Sequence, residues 1–284
     1  MVDNKSYKIP ILAYHNIVDK DNITDREIIN SPFSIFKEEF RFQMRYLAEN
    51  GYRSIDIKEL IHIQVTNSDK PVDNQDKNIL ITFDDGYVDN YEFAFPILKE
   101  FNLKATFFVI SKKMGSENFA SWAELREMKQ NGMDIESHTH THVPLELLSE
   151  KDVIRELSKS KDTIEQNIGE PVSWLSFPHG SYTRKITDLT LNTGYQACGT
   201  SNFAYVSKSS KLKELPRIML RKSHTLDEFK AICQAKNSLL FSQKVLYGTK
   251  NLVKNTIGLK NYMALHRIMY KTKKQVVRIS ENTN

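Results

Sequence analysis

Asn78-Ile79-Leu80-Ile81-Thr82-Phe83-Asp84-Asp85-Gly86-Tyr87 is the stretch from which the rest of the chain is read. Ile79 to Ile81 is a short apolar run of the kind carried by a strand buried on both faces. It stops at two adjacent carboxylates and a glycine. Alone, Asp-Asp-Gly closes a strand with an ordinary turn. Two further segments give it another meaning, because His138-Thr139-His140-Thr141-His142 and Phe177-Pro178-His179-Gly180 each also follow an apolar run. Strand ends that gather carboxylates and imidazoles are where α/β enzymes keep their active sites.

Outward from this strand the pattern alternates. Ile9 to His15 reads as a first buried strand, and Gly51–Ile55, Leu103–Ile110, Met133–Glu136, Val172–Phe177, Ala197–Thr200 and Ile218–Leu220 as further strands. Pro32 to Asn50 reads as a helix, since Phe33, Phe36, Phe40, Met44 and Leu47 recur at near-helical spacing. Ile57–Ile63, Tyr91–Phe101, Ser121–Asn131, Ser149–Ile168, Thr187–Thr193 and Thr225–Ala235 are the other expected helices, several closed by Gly132, Gly169 or Gly194. Thr66 to Lys77 is polar, carries a proline and reads as a surface loop. Strands alternating with helices predict an α/β fold, a mostly parallel sheet with helices outside it. His15, Asp84, Asp85, His138, His142 and His179 all follow expected strands.

The 284 residues suffice for one large domain or two small ones. Cys198 and Cys233 make no disulfide framework and fit a reducing compartment. Met1 to Lys8 has no apolar core of signal-peptide length, and no run approaches a membrane span, so the expected location is cytoplasmic. A chain trimmed of its signal would read the same. Lys and Arg total 40 against 35 Asp and Glu, unevenly placed. From Lys236 onward there are ten basic residues and one acid, Glu281. That asymmetry divides the chain into a domain of residues 1–235 and a basic extension of residues 236–284. The extension's interleaved Leu, Val, Ile and Met suggest amphipathic helices, packed on the domain or set against an anionic membrane surface or a partner protein. Nothing resembles a nucleic-acid-binding motif.

Thr82-Phe83-Asp84-Asp85-Gly86-Tyr87 followed by Ser137-His138-Thr139-x-x-His142 resembles the polysaccharide deacetylases of the NodB-homology group, carbohydrate esterase family four. The resemblance runs from about Ile9 to about Phe229 and includes Asn90, Pro96, Lys104 to Val109, Ser121-Trp122 and Gly132. It implies a distorted (β/α)7 barrel, with the C-terminal helical extension beyond it. It also implies a divalent metal held by Asp85, His138 and His142. Zinc suits one carboxylate and two imidazoles best, and cobalt, nickel or iron would also fit. Asp84 is then the general base on the metal-bound water. A regular strand would put His138, His140 and His142 on one face. The family pattern instead takes positions four apart and leaves His140 a supporting role.

An acid must protonate the leaving amine. The Leu-x-His pattern that supplies it in most of the family is not clearly present, and His224 lies near the corresponding place. Ala13-Tyr14-His15-Asn16 resembles the pair opening the subgroup that deacetylates poly-N-acetylglucosamine, where the early histidine is the acid. His15 is therefore the first candidate and His224 the second. Pro178, His179 and Gly180 resemble the groove-wall motif, with the His179 N–H as an oxyanion donor and Tyr87 near the substrate. Ser176 stands where many members carry an arginine that orients the catalytic Asp. Arg217 either supplies that guanidinium or is a strand-flanking surface residue. The family's later Asp-Trp pair has no counterpart after Gly194. Trp122 and Trp174 are core residues or sugar platforms. The implied activity is metal-dependent removal of N-acetyl groups from amino sugars in a polysaccharide, oligosaccharide or lipid-linked saccharide. The alternatives are hydrolysis of another amide, such as a formamido sugar, and non-catalytic glycan binding.

Overall fold

The computed structural model describes residues 7–21, 31–65 and 77–236, so the basic extension expected from sequence lies outside the described residues. Seven parallel strands form a curled sheet: β1 (Ile11–Tyr14), β5 (Lys77–Phe83), β6 (Thr106–Val109), β7 (Asp134–Ser137), β8 (Trp174–Ser176), β9 (Ala197–Gly199) and β10 (Ile218–Met219). Their spatial order is β10-β1-β5-β6-β7-β8-β9, and the short β4 (Tyr52–Ser54) pairs with the start of β5. The segment before β10 spans both edges of this sheet. Leu215 bridges Gly199 beside β9, and Ile218 pairs with Leu12 of β1. The expected distorted (β/α)7 barrel is thus the observed architecture, its helices α1 (Lys37–Glu49), α2 (Ile57–Val65), α3 (Phe95–Glu100), α4 (Trp122–Gln130), α5 (Glu150–Ile168), α6 (Arg184–Asn192) and α7 (Leu226–Cys233) following strands along the chain. Among the described residues no helix is long and apolar enough to cross a membrane.

The two faces of each strand fill two apolar regions. Phe107 stacks on Phe83 at 4.7 Å, Phe83 on Tyr14 at 5.3 Å, and Phe40 of α1 closes the group edge-on to Tyr14 at 5.2 Å. The next residue, Phe108, turns the other way and meets Trp174 edge-on at 4.7 Å, with Ile11, Leu80, Ala197 and Leu215 in the same cluster. This alternation is the period of two that a strand buried on both faces requires. Each fully buried ring contributes about 1.5–3 kcal/mol relative to exposure. Trp174 is 0% exposed, so of the two readings for it the core is correct.

Three helix boundaries differ from the sequence reading. The first helix begins at Lys37 rather than Pro32, because Ile35–Phe36 form β3 and pair with Ile17–Val18 (β2). There the β-branched and aromatic pair takes a ladder beside the β1 exit, which overrides the local periodicity. The expected helix Tyr91–Phe101 is a π-helix, Asn90–Ala94, that runs into α3. Pro96 has no N–H to give to the Glu92 carbonyl, so an unbroken α ladder cannot form there. The expected helix Thr187–Thr193 begins earlier, at Arg184, where the Thr183 side chain accepts from the Ile186 N–H at 3.3 Å.

Candidate active site

The C-terminal ends of β1, β5, β7 and β8 converge. Asp84 and Asp85 leave β5 in opposite senses because Asp85 is left-handed, with φ 78°. The Asp84 N–H still donates to Tyr14 O at 2.9 Å and so remains in the sheet. Gly86 follows at φ 80°, where an added Cβ would lie 2.9 Å from Val109 Cγ1. Thr139, His142 and His179 are also left-handed, with φ of 67°, 65° and 57°. Non-glycine residues in that region cost on the order of 1–3 kcal/mol each, and such strain collects at functional sites.

The segment after β7 is a turn, not a strand. His142 N–H donates to Thr139 Oγ1 at 3.1 Å, and the Nε2 atoms of His138 and His142 come within 3.2 Å. His140 faces elsewhere, its Nδ1 2.8 Å from Ser111 Oγ. Glu156, buried on α5, accepts from the Thr141 N–H at 2.8 Å and from its hydroxyl at 2.9 Å. Glu156 was not singled out from sequence. Its signal was a carboxylate on the buried stripe Val153, Leu157, Ser160 and Ile164 of an amphipathic helix. Ser111 carried no such signal.

Asp85 Oδ1 lies 3.5 Å from His138 Nε2 and 3.4 Å from His142 Nε2. His138 Nδ1 sits 2.9 Å from the Ser176 carbonyl, which can only accept, so in the neutral ring Nδ1 carries the proton and Nε2 presents its lone pair. Burial and the neighbouring His138 lower the His142 pKa to about 3, which keeps the His142 ring neutral. Asp85 Oδ1 is buried and has no hydrogen-bond partner. One carboxylate oxygen and two imidazole nitrogens that converge in this way fit a divalent cation, and the three ligand atoms lie within 4.8 Å of one another. Asp85, His138 and His142 are the residues that would hold it.

Asp84 meets a different partner. Arg217 is 1% exposed and therefore no surface residue. Its NH1 donates to Asp84 Oδ1 at 2.7 Å and its NH2 to Asp84 Oδ2 at 2.8 Å. The same NH2 donates to Ser176 Oγ at 2.7 Å, and Nε donates to Thr200 O at 3.2 Å. The serine in place of the family's arginine is thus a hydrogen-bond partner for a guanidinium that arrives from the segment before β10. Burial pushes the Asp84 carboxyl up, but Arg217 and His138 outweigh it and hold it below the usual carboxylate range. Gly199 is the floor of this arrangement, since a Cβ there would lie 2.9 Å from Arg217 Nε. Gly199→Ala should displace the guanidinium and lower kcat about tenfold with metal content unchanged. Wild-type kinetics in that variant would show that Gly199 does not set the guanidinium's position.

His15 and His224 are placed differently. The His15 ring stacks on Phe33 at 4.9 Å, and Asp84, Asp85, His138 and Arg217 all act on its charge, although burial dominates and lowers its pKa. His224 Nδ1 accepts from the Arg221 N–H at 3.2 Å, and the charges acting on it are Glu228 and Arg221. The structure brings His15, and not His224, among the site carboxylates. The His179 ring lies 4.6 Å from that of His142. Pro178 precedes it, and Gly180 follows at φ 60°, where a Cβ would collide with the Ser201 side chain. Tyr87 stacks on Phe119 at 5.1 Å, and burial and Asp85 push its phenol well up.

A seven-stranded (β/α) barrel with an Asp-His-His cluster at its strand ends defines a protein with a candidate divalent-metal site. A family model described as polysaccharide deacetylase matches residues 72–198. The Bacillus subtilis (strain 168) protein YxkH, which carries the name of a polysaccharide deacetylase, is 33% identical over 214 residues, 75% of this chain and 72% of that one. A poly-beta-1,6-N-acetyl-D-glucosamine N-deacetylase of Staphylococcus aureus (strain MSSA476) is 26% identical over 69% of this chain and 70% of its own. The solved Streptococcus pyogenes deacetylase PplD, in complex with acetate, superposes with a TM-score of 0.73 at 27% identity, covering 80% of this chain and 98% of that one. The chain belongs to the polysaccharide deacetylase family.

Proposed function

We propose that the protein removes N-acetyl groups from amino sugars in a glycan, with water as the nucleophile. The observation that carries this reading is the divergence of two adjacent carboxylates, one onto two imidazoles and the other onto a buried arginine. A divalent metal, when bound by Asp85, His138 and His142, supplies Lewis acidity toward the acyl oxygen and acidifies water. Asp84 takes the proton of the attacking water. Arg217 grips both carboxylate oxygens, which fixes their direction and makes Asp84 a weak base. It therefore deprotonates only a water already acidified in that site. His179 supports the acyl oxygen through its backbone N–H, because the left-handed turn Pro178-His179-Gly180 re-aims the peptide. His15, beside both carboxylates, gives a proton to the departing amine. Burial lowers its pKa, while the charges of Asp85 and Asp84 oppose that and favour the protonated ring from which the amine takes its proton.

The substrate class draws on the Staphylococcus aureus relative, named for a β-1,6-linked N-acetylglucosamine polymer. The test is acetate release from oligomers of that sugar, with and without chelator, beside metal analysis of the purified protein. Chelator-sensitive acetate is expected. Bound metal without acetate would redirect the search to other amides, such as formamido sugars, and absence of metal after reconstitution would sink the ligand assignment. In the same assay His15→Ala should lower kcat by about 10²–10⁴, and His224→Ala only slightly. The reverse order would transfer the acid role to His224.

A further inference from the structure

Catalytic imidazoles are commonly held in orientation by a carboxylate or carbonyl on the ring nitrogen that faces away from the substrate. Among the described residues His15 has no such partner, for its Nδ1 is buried without a hydrogen bond. Its backbone is held instead. Asn90 Nδ2 donates to the His15 carbonyl at 2.7 Å and to Asp89 Oδ1 at 2.7 Å. Asn16 Nδ2 donates to the other oxygen of the same carboxylate, Asp89 Oδ2, at 2.8 Å. The Asp89 carboxylate therefore ties together the amide that grips His15 and the residue that follows His15.

Two further contacts complete the grip. The Ile35 N–H donates to Asn16 O at 3.0 Å, and Phe33 covers the His15 ring with its plane tilted by only 24°. Asn90 is 1% exposed and opens the π-helix Asn90–Ala94. Such segments recur where a helix has been deformed for a site. The same short stretch, residues 84 to 90, carries Asp84 and Asp85 at one end and Asn90 at the other. A rigid connection through this stretch sets the position of His15 against the two carboxylates.

We infer that Asn90, anchored by Asp89, is a positioning residue for His15, acting through the backbone where other sites act through the ring. This rests on the reading of His15 as the proton donor to the leaving amine. Protonation of the leaving group matters for an amide and little for an activated aryl acetate, whose phenolate departs unaided. The ratio of the two rates therefore reports on the acid alone.

The experiment compares Asn90→Asp, Asn90→Ala, His15→Ala and the double variant His15→Ala/Asn90→Ala on both substrates. Metal content and Tm are recorded for each. Asn90→Asp keeps the shape but sets a carboxyl against Asp89 in place of the amide donor, and Asn90→Ala removes both donated hydrogen bonds. Each Asn90 variant should slow the amide about tenfold to a hundredfold, with KM and metal content held and the aryl acetate within about threefold. The double variant should be hardly slower than His15→Ala, because the two residues act as one unit. Equal losses on both substrates, or losses that multiply in the double variant, would overturn the inference. If His15→Ala leaves the amide-to-ester ratio at the wild-type value, the acid assignment fails, and the inference with it. Asn90→Ser, small and neutral, gives the same readout should the other variants fold poorly.

Discussion

Asp84→Asn should retain the metal and lose turnover, with kcat down by about 10²–10⁴ and KM little changed. Both oxygens of Asp84 are occupied by Arg217, at 2.7 and 2.8 Å, whereas the imidazole nitrogens face Asp85. Removing the charge at Asp84 therefore takes nothing from the Asp-His-His cluster. It takes away the only function proposed for that side chain toward water, since an amide nitrogen accepts no proton at neutral pH. Asp85→Asn is the counterpart and should lose metal and activity together. Metal analysis and acetate release on the two variants check the division of labour. Loss of metal from Asp84→Asn would show that the two aspartates are not divided in this way. Retention of most of its activity would remove Asp84 as the base.

Much of the frame was legible because it is written locally. An apolar run buried on both faces needs no knowledge of its neighbours, so β5, β6 and β8 could be read off, and the alternation with helices gave a parallel barrel. What failed were boundaries set by distant partners. Ile35 and Phe36 have helical spacing with Phe40 and Met44, but they pair with Ile17 and Val18 instead. Pro96 falls inside the expected helix Tyr91–Phe101, which was read as unbroken. The π-helix that opens at Asn90 comes with a side-chain contact to His15, 75 residues earlier.

The site divides along the same line. Asp84, Asp85, His138 and His142 stand out because polar residues directly after apolar strands have few structural reasons to be there. Arg217 was visible only as one of two alternatives, since its partner Asp84 lies 133 positions away. Gly199 carried no signal, because a glycine chosen for a guanidinium packed over it reads like one chosen for a turn. Asp89 was not singled out, and Asn16 was noted only as the residue after His15. Only the fold shows that their side chains meet.

Arg217→Met should be the costliest single change for stability, about 3–5 kcal/mol, because it strips a buried carboxylate of its partner. Asp84 is 3% exposed and cannot turn to water. The loss corresponds to a fall in Tm of roughly 10 °C. Its pH dependence identifies the cause. In the wild type the folded pKa of Asp84 lies below the unfolded value of about 3.9. Its stabilisation is complete above that value and is lost as pH falls through the lower folded pKa. Without the guanidinium, burial, which already pushes this carboxyl up, dominates, and the folded pKa rises above the unfolded one. The group then contributes nothing at low pH and an increasing penalty as pH rises above about 4. With chelator present, the Tm gap between wild type and Arg217→Met should therefore widen from about pH 5 to about pH 8. Asp84→Asn/Arg217→Met removes both charges, so it should recover most of the Tm, abolish the widening and still release no acetate. A gap that stays constant with pH would mean that Arg217 stabilises the barrel by filling volume rather than by neutralising Asp84. The arginine would then have no electrostatic claim on the base.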